Sequence, residues 1–206
     1  MDEERASQEL ADQLRRIIGR LAVVRPQGDE LRRAAEVAGA FADRLDQLPE
    51  RGRTWEVSEA GLLPREFQAY SPLSGPRNPL APPVRFHFPD QQTGERPIFG
   101  EVTFGAAYEG PPGHCHGGYV AAVFDELLGF AQFSPGFTAY LHVDYRRVTP
   151  LHRRLDLKAW VERVEGRKRY VRGECRDGSV LLSEAEGLFI APRDDAEFLS
   201  RLDQQR

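Results

Sequence analysis

Along this chain the apolar positions first recur every three or four residues and later every two. Leu10, Leu14, Ile17, Ile18 and Leu21 share one side of residues 4–24 and charge occupies the other, which predicts an amphipathic helix ending before Pro26. Gly28-Asp29 opens a second such pattern through Leu31, Ala34, Ala35, Val37, Ala38, Phe41, Leu45 and Leu48. The short link Arg25-Pro26-Gln27-Gly28 predicts that the two helices fold back as a hairpin, the main feature of a helical extension over residues 1–61. Residues 62–83 are dense in proline, which disfavours helix and central strand, so they predict an extended connector over the surface.

From residue 84 the period changes. Val84, Phe86 and Phe88 alternate with Arg85 and His87, a strand signal, and the polar turn 90–94 leads to a second strand over 98–107. Residues 117–132 are apolar almost all the way round and predict one long buried helix, stopped by Ser134-Pro135-Gly136. Strands are expected over 138–148, 155–165, 167–176 and 179–191, with Glu165-Gly166 and Asp177-Gly178 as tight turns. A short helix is expected near 194–203, in a tail over 193–206. The order over 84–192 is therefore two strands, one buried helix and four strands. That is an α+β domain in which an antiparallel sheet of about six strands must curl around its single helix.

Composition changes this picture little. The net charge of -4 and a pI near 5.8 give no electrostatic case for nucleic acid or an anionic membrane. Residues 1–50 hold eight arginines against eleven acids, the wrong sign for a DNA-reading helix pair. Two cysteines are too few for a disulfide framework. No stretch approaches the roughly 18 consecutive apolar residues of a membrane span. The acidic N-terminus has no signal-like apolar segment behind it, and the expected location is the cytoplasm.

The chemistry concentrates on the central helix. Gly117-Gly118 at its start lets a ligand approach the main chain, where unpaired N–H groups and the positive end of the helix dipole make an oxyanion hole. Asp125 and Glu126 lie in the middle of the apolar segment, where an unpaired carboxylate is costly. Asp125 follows Gly117 by eight residues, about 12 Å along the helix with about 80° of rotation. One helix cannot bring both groups to one carbonyl carbon, so joint catalysis requires two chains and predicts at least a dimer. Glu126 points about 100° away, toward a polar rim. Gly129, one turn beyond Asp125, leaves room for a substrate or a close-packed partner helix.

The segment Gly113-His114-Cys115-His116-Gly117-Gly118, with Phe124-Asp125-Glu126 after it, resembles the His-Gly-Gly…Asp signature of hotdog-fold acyl-CoA thioesterases of the PaaI-like branch. Residues 141–151 resemble that family's strand and its Arg-Pro-x-Pro-type end, with Val148 in place of the first proline. The resemblance covers residues 72–192. It implies a hotdog fold, dimers across sheet edges, hydrolysis of an acyl-CoA, and no cofactor beyond coenzyme A as part of the substrate. By the same resemblance Gly117, with Gly118, polarises the thioester carbonyl, His116 shapes the turn or touches substrate, and Asp125 of the other chain is general base or nucleophile. Family members also carry a Ser or Thr after the helix to orient water, and Thr138 is the matching candidate. Strand alternation with Ala139, Leu141 and Val143 inward turns Thr138 outward unless a bulge intervenes.

Arg146 and Arg147 lead a group of guanidinium side chains, with Arg153, Arg154 and 167–169, suited to coenzyme A phosphates. His114, Cys115 and His116 are consecutive and converge poorly on one metal ion, so no metal is expected. Cys115 as a nucleophile lacks an identifiable activating arrangement and reads as a buried, inert thiol. The alternative from another class is a non-catalytic acyl-CoA sensor or scaffold, against which an intact Asp125 argues.

Overall fold

The computed structural model describes residues 2–49, 68–88, 97–132 and 136–193. Two helices come first, α1 (Asp2–Leu21) and α2 (Asp29–Leu45), followed by β1 (Val84–His87) and β2 (Ile98–Thr103). After a short 3-10 turn at Ala106–Tyr108 comes the central helix α3 (Gly117–Ala131), then β3 (Phe137–Tyr145), β4 (Arg154–Glu165), β5 (Lys168–Asp177) and β6 (Val180–Ile190). The strands form one antiparallel sheet in the order β1-β2-β4-β5-β6-β3. This is the α+β hotdog arrangement, with β1 and β3 at the two edges. The expected β2 stops at Thr103, where the chain leaves the sheet for the 3-10 turn. The turn at 90–94 and the short helix at 194–203 lie outside the described residues.

The sheet curls around α3 because that helix buries Val120, Val123, Phe124, Leu127, Leu128 and Ala131 against it. Ile98, Val102, Leu155, Leu157, Val171 and Phe189 meet them from the strands. Two strand glycines set how close the helix comes. A Cβ at Gly173 would stand 2.8 Å from Leu128 Cδ1, and one at Gly187 3.0 Å from Leu128 Cδ2. At both points the backbone itself is the packing surface. Gly166 and Gly178 take φ of 58° at the two hairpin turns, as the turn dipeptides predicted.

Two expectations are corrected here. Within a single chain α3 is not buried on every side: Ala121, Ala122, Asp125 and Gly129 are only half-buried. Their side chains are small, so the helix presents a shallow floor rather than a sealed core. The second correction concerns the N-terminal helices. α1 docks on the domain through Ala11, but α2 buries none of its residues, so no packed hairpin forms among the described residues.

The connector also differs from the extended path expected. Its described part, 68–83, coils through successive turns, with Gly75 N–H donating to Ser71 O at 3.0 Å and Arg77 N–H to Ala69 O at 2.8 Å. Ser71 and Ala81 are buried. The physical cause is a cation from another element. Arg15 of α1 donates to the carbonyls of Ala81 (3.0 Å), Gly75 (3.2 Å), Pro76 (2.8 Å) and Asn78 (2.8 Å). Proline leaves its own segment short of N–H donors, and a single guanidinium supplies them. Arg77 pairs with Glu4 at 2.6 Å and Ser7 shares a hydrogen bond with the Tyr70 hydroxyl at 3.2 Å, closing the α1–connector contact.

Candidate active site

The turn before α3 is fixed from several sides. His116 N–H donates to Tyr108 O at 2.8 Å, Cys115 N–H to Thr149 O at 2.8 Å, and Gly113 N–H to a Glu109 carboxylate oxygen at 2.6 Å. His116 is the N-cap of the helix: its Nδ1 accepts from Gly118 N–H at 3.0 Å. An accepting Nδ1 places the imidazole proton on Nε2. The histidine therefore shapes the turn, and in doing so it occupies the Gly118 amide. Gly117 N–H has no acceptor among the described residues. Of the two glycine amides it is the one left open to a ligand.

Tyr145, at the end of β3, completes this corner. Its hydroxyl donates to Gly117 O at 2.8 Å, and a Cβ on Gly117 would meet its ring at 3.4 Å. Tyr145 sits inside the 141–151 segment, but nothing in the sequence around it points to this role. A tyrosine in a strand carries no mark of a contact with a turn 28 residues earlier.

Asp125 projects from the half-open side of α3. Its Oδ1 accepts from Thr138 Oγ1 at 3.0 Å. Simple alternation turns Thr138 away, but the β3–β6 register shifts between Thr138 and Tyr140. Thr138 faces Phe189 and Tyr140 faces Leu188, so Ala139 is the extra residue of a bulge. The bulge reverses which way Thr138 faces relative to Leu141 and Val143, which pack on the core as expected. Asp125 Oδ2 takes no part in the Thr138 contact.

Glu126 has a different environment from its neighbour. One of its carboxylate oxygens accepts from both Ser71 Oγ and Ser74 Oγ of the connector. The rim predicted for it is therefore the chain's own connector, and Glu126 anchors that connector to the central helix. The serines lie 55 and 52 residues away in sequence, where no local pattern points to them.

The arginines separate. Arg146 is bound to Glu184 at 2.7 Å and to Asp144 at 3.4 Å on the outer face of the sheet. Arg153 pairs with Asp177 at 2.8 Å and Arg154 with Glu101 at 2.7 Å. Arg147 is exposed and carries no ion pair among the described residues. Of the two leading candidates for phosphate, Arg147 has the uncommitted charge.

His114 Nδ1 lies 2.8 Å from Pro112 O and diverges from the His116 ring, which caps the helix. No cluster of three metal-ligating side chains occurs among the described residues. Cys115 is buried, and burial followed by the nearby Cys175 pushes its thiol up to about 12 from 9.0. Burial lifts Cys175 likewise to about 12. Both thiols stay protonated in the fold but ionise in the unfolded chain above 9.0. Above that pH the unfolded state binds fewer protons, so stability falls as pH rises toward 12. At pH 10 the loss is about 1 kcal/mol per thiol. Urea unfolding at pH 8 and pH 10 checks this, and Cys175→Ala is expected to reduce the difference between the two.

This architecture defines a class. A crystal structure described as a thioesterase superfamily protein is 30% identical and superposes with a TM-score of 0.76, covering 89% of this chain and 90% of its own. The family model described as Thioesterase superfamily matches residues 112–183, the span from the glycine turn to β6. The chain belongs to the thioesterase superfamily.

Among curated relatives, it is similar to acyl-coenzyme A thioesterase THEM4 of Xenopus laevis, 41% identical over 91 residues, or 42% of this chain and 41% of that protein. The rat THEM4 is 34% identical over 90 residues, 42% of this chain and 39% of its own length. The match thus spans about two fifths of those relatives.

Proposed function

We propose that this chain hydrolyses an acyl-CoA thioester to a free carboxylic acid and coenzyme A. The observation that carries the reading is Asp125, a half-buried carboxylate on a helix whose other carboxylate, Glu126, is taken up by two serines, and it is held through one oxygen by Thr138 Oγ1 at 3.0 Å. A carboxylate oriented in this way has its second oxygen available to take a proton from water. The relatives named as acyl-coenzyme A thioesterases support the same substrate class.

In the proposed reaction the thioester carbonyl oxygen accepts from Gly117 N–H at the positive end of α3, a contact typically worth about 3–4 kcal/mol in the transition state. Asp125 draws a proton from water, whose oxygen attacks the carbonyl carbon. Collapse of the tetrahedral intermediate breaks the C–S bond, and the departing thiolate is protonated to the free thiol. His116 and Tyr145 hold the glycine turn, and Thr138 holds the base. Arg147 is the candidate for coenzyme A phosphate, ahead of the paired Arg146.

The two reacting groups lie on one helix about 12 Å apart. The site therefore takes Gly117 from one protomer and Asp125 from its partner. The edge position of β3, with Thr138 and Tyr140 exposed in the single chain, supports pairing along that strand. The test of function is release of free thiol from acyl-CoAs with short, long and aromatic acyl groups. Thiol release above the uncatalysed rate for at least one of them is the expected result. No release across the whole panel would refute hydrolysis and leave the reading as an acyl-CoA sensor.

A further inference from the structure

A cavity of about 270 Å³ lies where α1 meets the 3-10 turn and the end of the connector. Ile18, Pro79, Pro83 and Ala107 give it apolar walls, and Arg15 and Arg16 line it from α1. No carboxylate lines it, and neither Gly117 nor Asp125 does, so it is separate from the reacting groups. The 3-10 turn that walls it also supports the glycine turn. Tyr108 O accepts from His116 N–H at 2.8 Å, and the Tyr108 ring meets Tyr119 edge-on with centroids 4.9 Å apart.

Two glycines keep this space open. Gly19 lies within α1 and Gly105 just before the 3-10 turn; both line the cavity, and a Cβ on either would meet nothing within 4 Å. Neither has a positive φ, so the backbone at these two points accepts any side chain. Glycine is the poorest helix former after proline, so Gly19 weakens α1 without gaining it a contact. The two arginines differ in their commitments. Arg15 is taken up by connector carbonyls and Asp12. Arg16 is exposed and has no ion pair among the described residues; its contact with Gln13 Oε1, at 3.5 Å, is at the outer limit of a hydrogen bond. An exposed side chain that lines a cavity stands at its opening, which leaves a free guanidinium there.

We infer that this cavity is a second binding site, for a carboxylate with an apolar tail of medium length. The walls take the tail out of water, and the Arg16 guanidinium meets the anionic head. A cationic head would face two arginines and no acid in the lining, and a small inorganic anion would leave the apolar walls uncovered. Size follows from the volume. At the roughly 30 Å³ that a water-sized group occupies in a liquid, the cavity holds about nine non-hydrogen atoms, the size of an acid of about seven carbons. An acid of this kind is also the class of product that the proposed hydrolysis releases. The site itself rests on the cavity and its lining, not on that reaction.

Calorimetric titration of the full chain with octanoate, acetate and 1-octanol tests the inference. Octanoate is expected to bind about tenfold or more tighter than acetate, which lacks the tail, and about fivefold or more tighter than octanol, which lacks the charge. Gly19→Leu fills the space with a good helix former and is expected to weaken octanoate binding about tenfold or more. Arg16→Glu is expected to weaken it about fivefold or more and to abolish the preference for octanoate over octanol. No binding of octanoate by the wild type at millimolar concentration would overturn the inference. So would octanol binding as tightly as octanoate, or an octanoate affinity unchanged in either variant, the result expected if the acid were held at the reacting groups instead. Arg16 is exposed, so its variant decides the matter even if Gly19→Leu does not fold. None of these readings depends on thiol release, and failure of hydrolysis would leave them standing.

Discussion

Asp125→Asn is expected to lower the turnover of an acyl-CoA by about 10²–10⁴-fold, the usual range for loss of a positioned general base. The amide fills the same volume and still accepts from Thr138 Oγ1, so the fold and the 3.0 Å contact persist. What disappears is the oxygen able to take the water's proton. KM is expected to change little, because the amide removes a proton acceptor and not a binding surface. The measurement is thiol release by both proteins with circular dichroism as the control for folding. Equal kcat in the two would remove Asp125 from the reaction.

A mixing experiment extends this to the shared site. Gly117→Val places bulk over the open amide and against the Tyr145 ring, and is expected to be inactive on its own. Refolded together, Asp125→Asn and Gly117→Val chains are expected to recover about a quarter of wild-type activity, because half the dimers are mixed and each has one intact site. No recovery from a mixture shown to contain mixed dimers would place both groups in one chain's site.

The second large effect concerns stability. Arg15→Ala is expected to cost about 3 kcal/mol, because four connector carbonyls lose the guanidinium that satisfies them. Ala81 is fully buried, so its carbonyl pays most of that penalty. The connector leads to Ser71 and Ser74 on Glu126, the neighbour of Asp125. Loosening it is therefore expected to expose residues 68–83 to protease first and to lower the urea midpoint of the whole domain. Arg15→Lys, with fewer donors and no planar fork, is expected to recover only part of the loss. An unchanged midpoint in Arg15→Ala would show that the connector is held by its own turns.

Much of this protein was legible in its sequence because the signals are local. The period-two strands, the glycine turns at 166 and 178 and the apolar helix from Gly117 each depend on residues within a few positions of one another. The order of those elements sufficed for an antiparallel sheet curled on one helix, and helix geometry alone separated Gly117 from Asp125. What tertiary structure decided was every contact that crosses between elements. Thr138 reaches Asp125 because one residue bulges from β3, a departure from alternation that leaves no trace in composition. Glu126 finds its polar rim in the connector because two serines more than fifty residues earlier fold back onto it. The proline-rich connector coils instead of extending because Arg15, on another helix, supplies donors that its own backbone lacks. Periodicity reports which side of an element is apolar, whereas pairing of polar groups depends on distances that only the folded chain sets.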